Sequence, residues 1–474
     1  MLGFCATAQG KEAVGHHTEP VLQDKKAHML GITLTPGGFL AGEGVWRSRN
    51  EQTDISSTFS GIPLGNNPQA HMREFRLSAR QSRVSLLAEG AINTRTLLSG
   101  YYEADFLGNG TANSNESNSY DLRMRNVYLT LDKTDWGFHL LAGQNWSLTT
   151  TSLAGIAPRQ EVIPTTIDGQ YAVGFVWKRQ PQFRVTGNFG ADFWAAVSVE
   201  NPQTTFGGTA CGVALPGGII GQVCSAAGTQ TLPSTNIFSL NHIPDVVAKL
   251  AYETKISKHK VHAEVFGLYR SLYDRVQTTN NLHNTNHDTT AGGVGAGLFV
   301  EVLPSLLDMQ ANFLSGHGIG SYASGSLPDA TIGLNGRLVA IPETIYMMGA
   351  TLHATPCLDL YVYGGQERQS RKYFQVGNSF FGYGVPNANN VGCSVENGTC
   401  AGNTNNLWQV TAGLWNKFYK GSYGDLRGGL QYSYTHRKLF SGTGGQTGVS
   451  VPKAVGYNTN DNMVFFSMRY YPFT

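Results

Sequence analysis

Strict alternation of apolar and polar residues recurs along the whole of this 474-residue chain. Leu426, Gly428, Leu430, Tyr432 and Tyr434 alternate with Arg427, Gly429, Gln431, Ser433 and Thr435. Trp408, Val410, Ala412 and Leu414 alternate with Gln409, Thr411 and Gly413. Val261, Ala263 and Val265 stand against His262 and Glu264, and Leu307, Met309, Ala311 and Phe313 against Asp308, Gln310 and Asn312. Successive side chains of a strand point to opposite faces, so period two marks a strand with one apolar and one polar environment. The pattern predicts strands at 38–49, 74–88, 95–107, 121–132, 137–148, 171–187, 192–200, 245–254, 260–274, 292–303, 307–317, 343–355, 358–371, 407–419, 426–438 and 461–473. Sixteen is even, as closure with both termini on the inner side requires.

The connectors alternate between short and long. Short turns fall at Thr134–Gly137, Lys255–His259, Ser305–Asp308 and Ser422–Asp425. Between them lie polar loops at about 107–120, 148–170, 200–243, 276–290, 315–342, 374–406 and 440–456. Outer-membrane barrels have this asymmetry, with short periplasmic turns and longer outer loops. A soluble sandwich has no reason to maintain it. The expected architecture is an all-β, antiparallel transmembrane barrel over 38–474, preceded by an N-terminal segment, 1–37, that holds a signal remnant and a periplasmic or plug stretch.

Composition narrows this further. Charged residues are 14% of the chain, below the roughly 25% usual in soluble domains. No apolar run approaches the ~18 residues of a spanning helix. Lipid cannot satisfy backbone N–H and C=O groups, so a membrane protein without spanning helices must be a closed barrel. Aromatics (11%) gather toward strand ends, among them Tyr101, Tyr102, Tyr128, Trp136, Trp194, Tyr252, Tyr269, Tyr363, Trp415 and Tyr434, as interface belts would. Met463–Thr474 is similar to the aromatic last strand that outer-membrane proteins present to their assembly machinery, with Val464, Phe466, Met468 and Tyr470 as its apolar face. The start contains Ala6-Thr7-Ala8, an A-x-A pattern expected of a signal whose charged and apolar regions lie outside this numbering; lipid attachment at Cys5 is the alternative. Cys211 with Cys224, and Cys393 with Cys400, share Gly- or Asn-rich loop segments and are expected as short-range disulfides, free thiols being the alternative. Cys5 and Cys357 have no local partner.

Inward side chains would select what passes. Arg76, Arg80 and Arg83 lie on the second strand, where a register change near Gln81 and Ser82 is needed to turn all three inward. Arg123 and Arg125, at i and i+2, share one face of the fourth strand. Arginine on a lipid face costs about 2–4 kcal/mol at the midplane, which places these residues in the lumen or at an interface. They form either a basic wall or a structural ladder with Glu103 and Asp105 on the intervening strand. The segment 152–170, with Arg159, Glu161 and Asp168, is a candidate constriction loop whose carboxylates would face that wall and set up a transverse field; a surface loop is the alternative.

Ser82-Arg83-Val84, then Gly100 to Gly108 (GYYEADFLG), then Leu122 to Tyr128 (LRMRNVY) and Leu141 to Ser147 (LAGQNWS) resemble, in that order, motifs of the DcaP-like porins. The resemblance is specific over about 75–150. It implies a trimeric sixteen-stranded channel whose arginine-lined constriction favours dicarboxylates or other small anions, with Arg83, Arg123 and Arg125 lining the pore. The family's N-terminal coiled coil has no counterpart here, and Asn126 and Val127 replace its His and Ala.

Other chemistry is poorly supported. His283 and His287, with Asp288, sit in an Asn/Thr-rich loop, where spacing of four has no chelating geometry. Gly442–Gly448 lacks the Lys-Ser/Thr ending of a phosphate loop. There is no G-x-S-x-G and no basic tract for nucleic acid, and neither a cofactor nor a metal is expected. The expected function is a porin, not an enzyme, in the bacterial outer membrane, in contact with lipid, lipopolysaccharide and small anions. A structural or assembly-forming protein acting through its long loops is the alternative.

Overall fold

The structure is a computed structural model that describes residues 6–7, 25–110, 115, 121–229, 236–279, 283–443 and 455–474. Cys5 and Ala8, part of the loops at 107–120 and 440–456, and Gly444–Gly448 lie outside the described residues.

Sixteen antiparallel strands close on themselves. They are β1 (Ile32–Arg47), β2 in two pieces (Glu74–Ser78 and Arg83–Asn93), β3 (Thr96–Asp105), β4 (Arg123–Lys133), β5 (Phe138–Trp146), β6 (Arg179–Phe189), β7 (Phe193–Glu200) and β8 (Asp245–Ile256). Then follow β9 (His259–Thr278), β10 (Thr285–Leu303), β11 (Leu307–His317), β12 (Pro342–Thr355), β13 (Leu358–Gln369), β14 (Thr404–Gly421), β15 (Gly424–Leu439) and β16 (Asn458–Tyr471). Each pairs with its sequence neighbours, and β16 pairs back onto β1 from Met463 opposite Arg47 to Tyr470 opposite Leu40. Closure leaves no open sheet edge. Among the described residues no helix is long and apolar enough to cross a membrane.

The distribution of side chains is inverted relative to a soluble protein. On β15, Leu430 and Tyr432 are 51% and 48% exposed, whereas Gln431 and Ser433 are 1% and 0% exposed. The same holds on β14, where Val410 is exposed and Gln409 and Thr411 are buried. The apolar face of the alternation looks outward, as lipid contact demands, and the polar face looks into the barrel.

Connectors alternate as expected. Seven turns of two to four residues close one end, and eight loops close the other, at 48–73, 106–122, 147–178, 201–244, 279–284, 318–341, 370–403 and 440–457. Disulfides join Cys211 to Cys224 and Cys393 to Cys400 within two of these loops. Cys357 is also disulfide-bonded.

Several boundaries differ from the sequence reading. β1 begins at Ile32, and Ala27–Met29 folds back onto Ile32–Leu34, so the barrel takes in part of the segment assigned to 1–37. The stretch 276–290 is mostly strand. His287 and Asp288 are adjacent on β10, opposite Asp274 and Tyr273, and therefore point to opposite faces. Tyr128, Tyr363 and Trp415 are buried in the lumen and do not belong to an interface belt.

The largest correction concerns 171–187. Only 179–189 is strand; Tyr171 to Lys178 belong to the long loop 147–178. Its apolar run, Tyr171-Ala172-Val173-Gly174-Phe175-Val176-Trp177, reads as a strand because it is buried on all sides, yet what buries it is the barrel interior. Tyr171, Val173 and Phe175 pack with Val45, Trp146, Met347, Tyr361, Tyr363, Leu407 and Phe465 from the wall. Leu148, Ile156 and Val176 pack with Val247, Phe266, Leu268, Leu314 and Ile345 and with Tyr322 of the loop 318–341. Gly174 makes this close approach possible: at φ 82°, a Cβ there would strike the Tyr346 carbonyl.

Candidate functional site

The loop 147–178 is tied to the inner wall at both of its crossings. At its base, Lys249 donates to the Thr150 carbonyl and to Glu264 (both 2.7 Å), and Glu264 accepts from the Ser152 amide (3.1 Å). On the far wall, Trp415 Nε1 donates to the Thr165 carbonyl (2.7 Å), and the Ile167 amide donates to Gln431 (2.6 Å). The Val173 and Gly174 amides donate to Gln409 (3.0 Å) and Glu367 (2.8 Å). The loop is therefore an internal element, and 152–170 does not lie on the outer surface.

The arginines gather on the near wall. β2 is broken by a turn at 79–82, where the register change was expected. Arg76 lies on the loop side of the break and pairs with Glu74 (3.2 Å). Arg80, in the turn, pairs with Asp54 (2.8 Å) and donates to the carbonyls of Phe106 and Gly108. Arg83 lies below the break, 3.6 Å from Glu103 and over the Phe39 ring. Arg123 grips Asp105 with Nε and Nη2 (2.9 and 2.8 Å). Arg125 donates to Glu103 (2.7 Å), Asp105 (2.8 Å) and the Tyr171 hydroxyl (3.3 Å). A bulge between Glu103 and Ala104 lets Arg125 and Asn126 both turn inward, and Asn126 shares Glu103 (3.2 Å). The strand arginines and the β3 carboxylates thus form the ladder.

The loop residues behave differently from the expectation. Asp168 forms no ion pair among the described residues, although it lines a cavity with Arg83 and Arg125; its Oδ1 accepts from the amides of Ser57 (3.0 Å) and Gln170 (2.9 Å), joining two loops. Burial pushes its carboxyl above the usual range. Glu161 bridges to Ser152 across the loop's own neck, and among the described residues it has no ion pair. Arg159 donates to the Tyr128 hydroxyl (3.2 Å) and lies over the Tyr101 ring.

Two cavities flank this level. One of about 520 Å³, toward the turns, is lined by Arg83, Arg125, Asp168, Tyr171, Arg427 and Arg469, among others. The other, about 670 Å³ and toward the loops, is lined by Asp54, Arg76, Arg80, Arg123 and Gln170. Leu107 borders both cavities, and Tyr171 lines the first and Gln170 the second.

The solved structure of the outer membrane channel DcaP of Acinetobacter baumannii matches 93% of this chain and 97% of its own, with a TM-score of 0.60 and 18% identity. The chain has the fold of a DcaP-like channel. An anion-selective porin from Comamonas acidovorans (TM-score 0.47, 10% identity, 93% of this chain and 99% of that one) and OprB of Pseudomonas putida (0.45, 10%, 92% and 94%) are more distant. No family model matches the sequence, and no curated protein does.

Within this DcaP-like fold, the structure adds basic residues that sequence reasoning did not single out. Arg469 of β16 pairs with Glu43 (2.8 Å) and lies over Phe39 and Trp415, and Arg427 pairs with Asp425 (2.6 Å). Arg179, the first residue of β6, lies over Trp146 and Trp177 at 5.3 and 5.4 Å. Its signal was the polar Lys178-Arg179-Gln180 that follows the apolar run, hidden once that run was read as strand. Arg83, Arg123, Arg125 and Arg469 share three carboxylates, Glu43, Glu103 and Asp105, whereas Arg179 has no ion pair among the described residues. Tyr171 registers the excess: burial alone would raise its phenol, but the guanidiniums of Arg125, Arg179 and Arg83 bring it below its ordinary value.

Proposed function

We propose that this chain is an outer-membrane porin that passes small anions along the arginine side of its lumen. The observation that carries the reading is the cluster of Arg83, Arg123, Arg125 and Arg469 on Glu43, Glu103 and Asp105, four of whose members line one cavity with Arg427. A wall with excess positive charge raises the local concentration of anions and lowers that of cations. The likeness to an outer membrane channel supports the membrane and the channel class, and the motif resemblance over about 75–150 makes dicarboxylates the first solutes to try. Pore-lining roles go to Arg76, Arg80, Arg83, Arg123 and Arg125 with Glu103 and Asp105, and the constriction to 152–170 with Arg159, Glu161 and Asp168. A homotrimer embedded among lipid and lipopolysaccharide is the assembly that goes with this reading.

The test is reversal potential in planar bilayers across a potassium chloride gradient. Anion selectivity is the expected result; cation selectivity would remove the anion reading. A barrel that inserts but does not conduct would favour the structural alternative, which the dense apolar packing inside the lumen makes worth testing.

A further inference from the structure

We propose that Leu107 is the apolar barrier a solute crosses between the two cavities, and that Arg80 is a positioning residue that holds it there. This rests on the channel reading and names the groups that set the rate of passage, whatever the sign of the solute's charge.

The two cavities meet at one level of the lumen. Three segments divide between them: Arg80, Arg123 and Gln170 line the cavity toward the loops, while Gln81, Arg125 and Tyr171, one or two residues further on, line the one toward the turns. Among the described residues only Leu107 lines both. The first cavity continues to His353, Asp359 and Thr474, at the turn ends of β12, β13 and β16, and the second reaches Gln52 and Asn109 of the outer loops. A path along this side of the lumen therefore crosses the level of Leu107.

Leu107 is an apolar side chain among charged and amide ones, and the backbone that carries it is gripped on both sides. The side chain is half-buried and packs against the cluster that contains Tyr171, Val173 and Phe175. Its amide donates to Asp105 Oδ1 (3.1 Å), a carboxylate that Arg123 and Arg125 already fix. The carbonyls that flank it, those of Phe106 and Gly108, both accept from Arg80, through Nε (3.0 Å) and Nη2 (2.9 Å). Arg80 Nη1 pairs in turn with Asp54 of the first loop (2.8 Å), and the Phe106 amide donates back to the Arg80 carbonyl (3.0 Å). One planar guanidinium thus spans the stretch from Phe106 to Gly108, which the point charge of a lysine cannot do. Arg80 spends its donors on the chain, and what it gives the passage is the place of Leu107. An apolar constriction between two polar cavities raises the barrier for a hydrated ion because water wets it poorly, and it does so for either sign of charge.

Single-channel recordings in planar bilayers test both roles. Leu107→Ser, which leaves the backbone clamp in place, should raise conductance about twofold or more, as a barrier lower by about 0.4 kcal/mol would. The reversal potential in a potassium chloride gradient should stay where it was, since no charge is altered. Leu107→Phe should lower conductance. Arg80→Lys keeps the charge but loses the span; it should raise conductance in the wild-type background and add nothing in the Leu107→Ser background, because a residue that acts through Leu107 is not additive with its removal. Should Arg80→Lys fail to give folded barrels, Asp54→Asn, which loosens the same guanidinium, is read in the same way. Equal conductance of the wild type and Leu107→Ser would overturn the barrier, and additive effects of the two substitutions would overturn the positioning role. A wild-type barrel that does not conduct would instead overturn the reading on which the proposal rests.

Discussion

At the scale of single residues, the inner wall shows how buried charge is tolerated. Arg125 is almost wholly buried, and it is held by two carboxylates and a phenol at once. Removing one partner of such a set leaves the others uncompensated, which typically costs about 3–5 kcal/mol. Arg125→Ala should therefore lower the unfolding midpoint in urea and also weaken anion selectivity, because Glu103 and Asp105 are then exposed to the path. Loss of selectivity without loss of stability would mean that water replaces the guanidinium at no cost. Arg123 and Arg125 were legible as neighbours on one face, since period two requires it. The position of Arg179 was not, because its surroundings come from a distant part of the loop.

At the scale of elements, the loop 147–178 turns a wide barrel into a narrow one. Two glutamines on the far wall, Gln409 and Gln431, anchor it through the amides of Val173 and Ile167. Replacing both with alanine should release that crossing and raise single-channel conductance; unchanged conductance would show that apolar packing alone fixes the loop. The first loop, 48–73, carries a pH-sensitive contact. Burial raises the Glu51 carboxyl from about 4.5 to about 8, against the opposing pull of Arg47. A carboxyl raised in the folded state contributes its stability fully below the unfolded value and loses it as pH rises through the folded one. Protease cleavage within 48–61 should accordingly increase between about pH 5 and pH 9, and Glu51→Gln should flatten that dependence. A profile identical in the variant would assign the effect to another group.

At the scale of the whole molecule, stability resides in a closed ladder with lipid-facing apolar side chains, so the two faces of one strand should respond in opposite ways. Val410→Arg, on the outward face of β14, should cost roughly 2–4 kcal/mol if it sits at the midplane, measured by urea titration in lipid vesicles. An unchanged midpoint would place that position outside the hydrocarbon. The sequence by itself indicated the number of strands, the apolar and polar faces of most of them, the alternation of turns and loops, and the two cysteine pairs close enough in the chain to bridge. All of these depend on local periodicity or on neighbours in the chain, which the order of residues records directly. Only the tertiary structure decided that Tyr171–Trp177 fills the lumen instead of the wall, that Asp168 ties two loops together, and that Arg179 is left without a counter-ion among the described residues. An apolar run looks the same whether a sheet or a barrel interior buries it, and the balance of charges around a lumen depends on which distant segments the closed wall brings together.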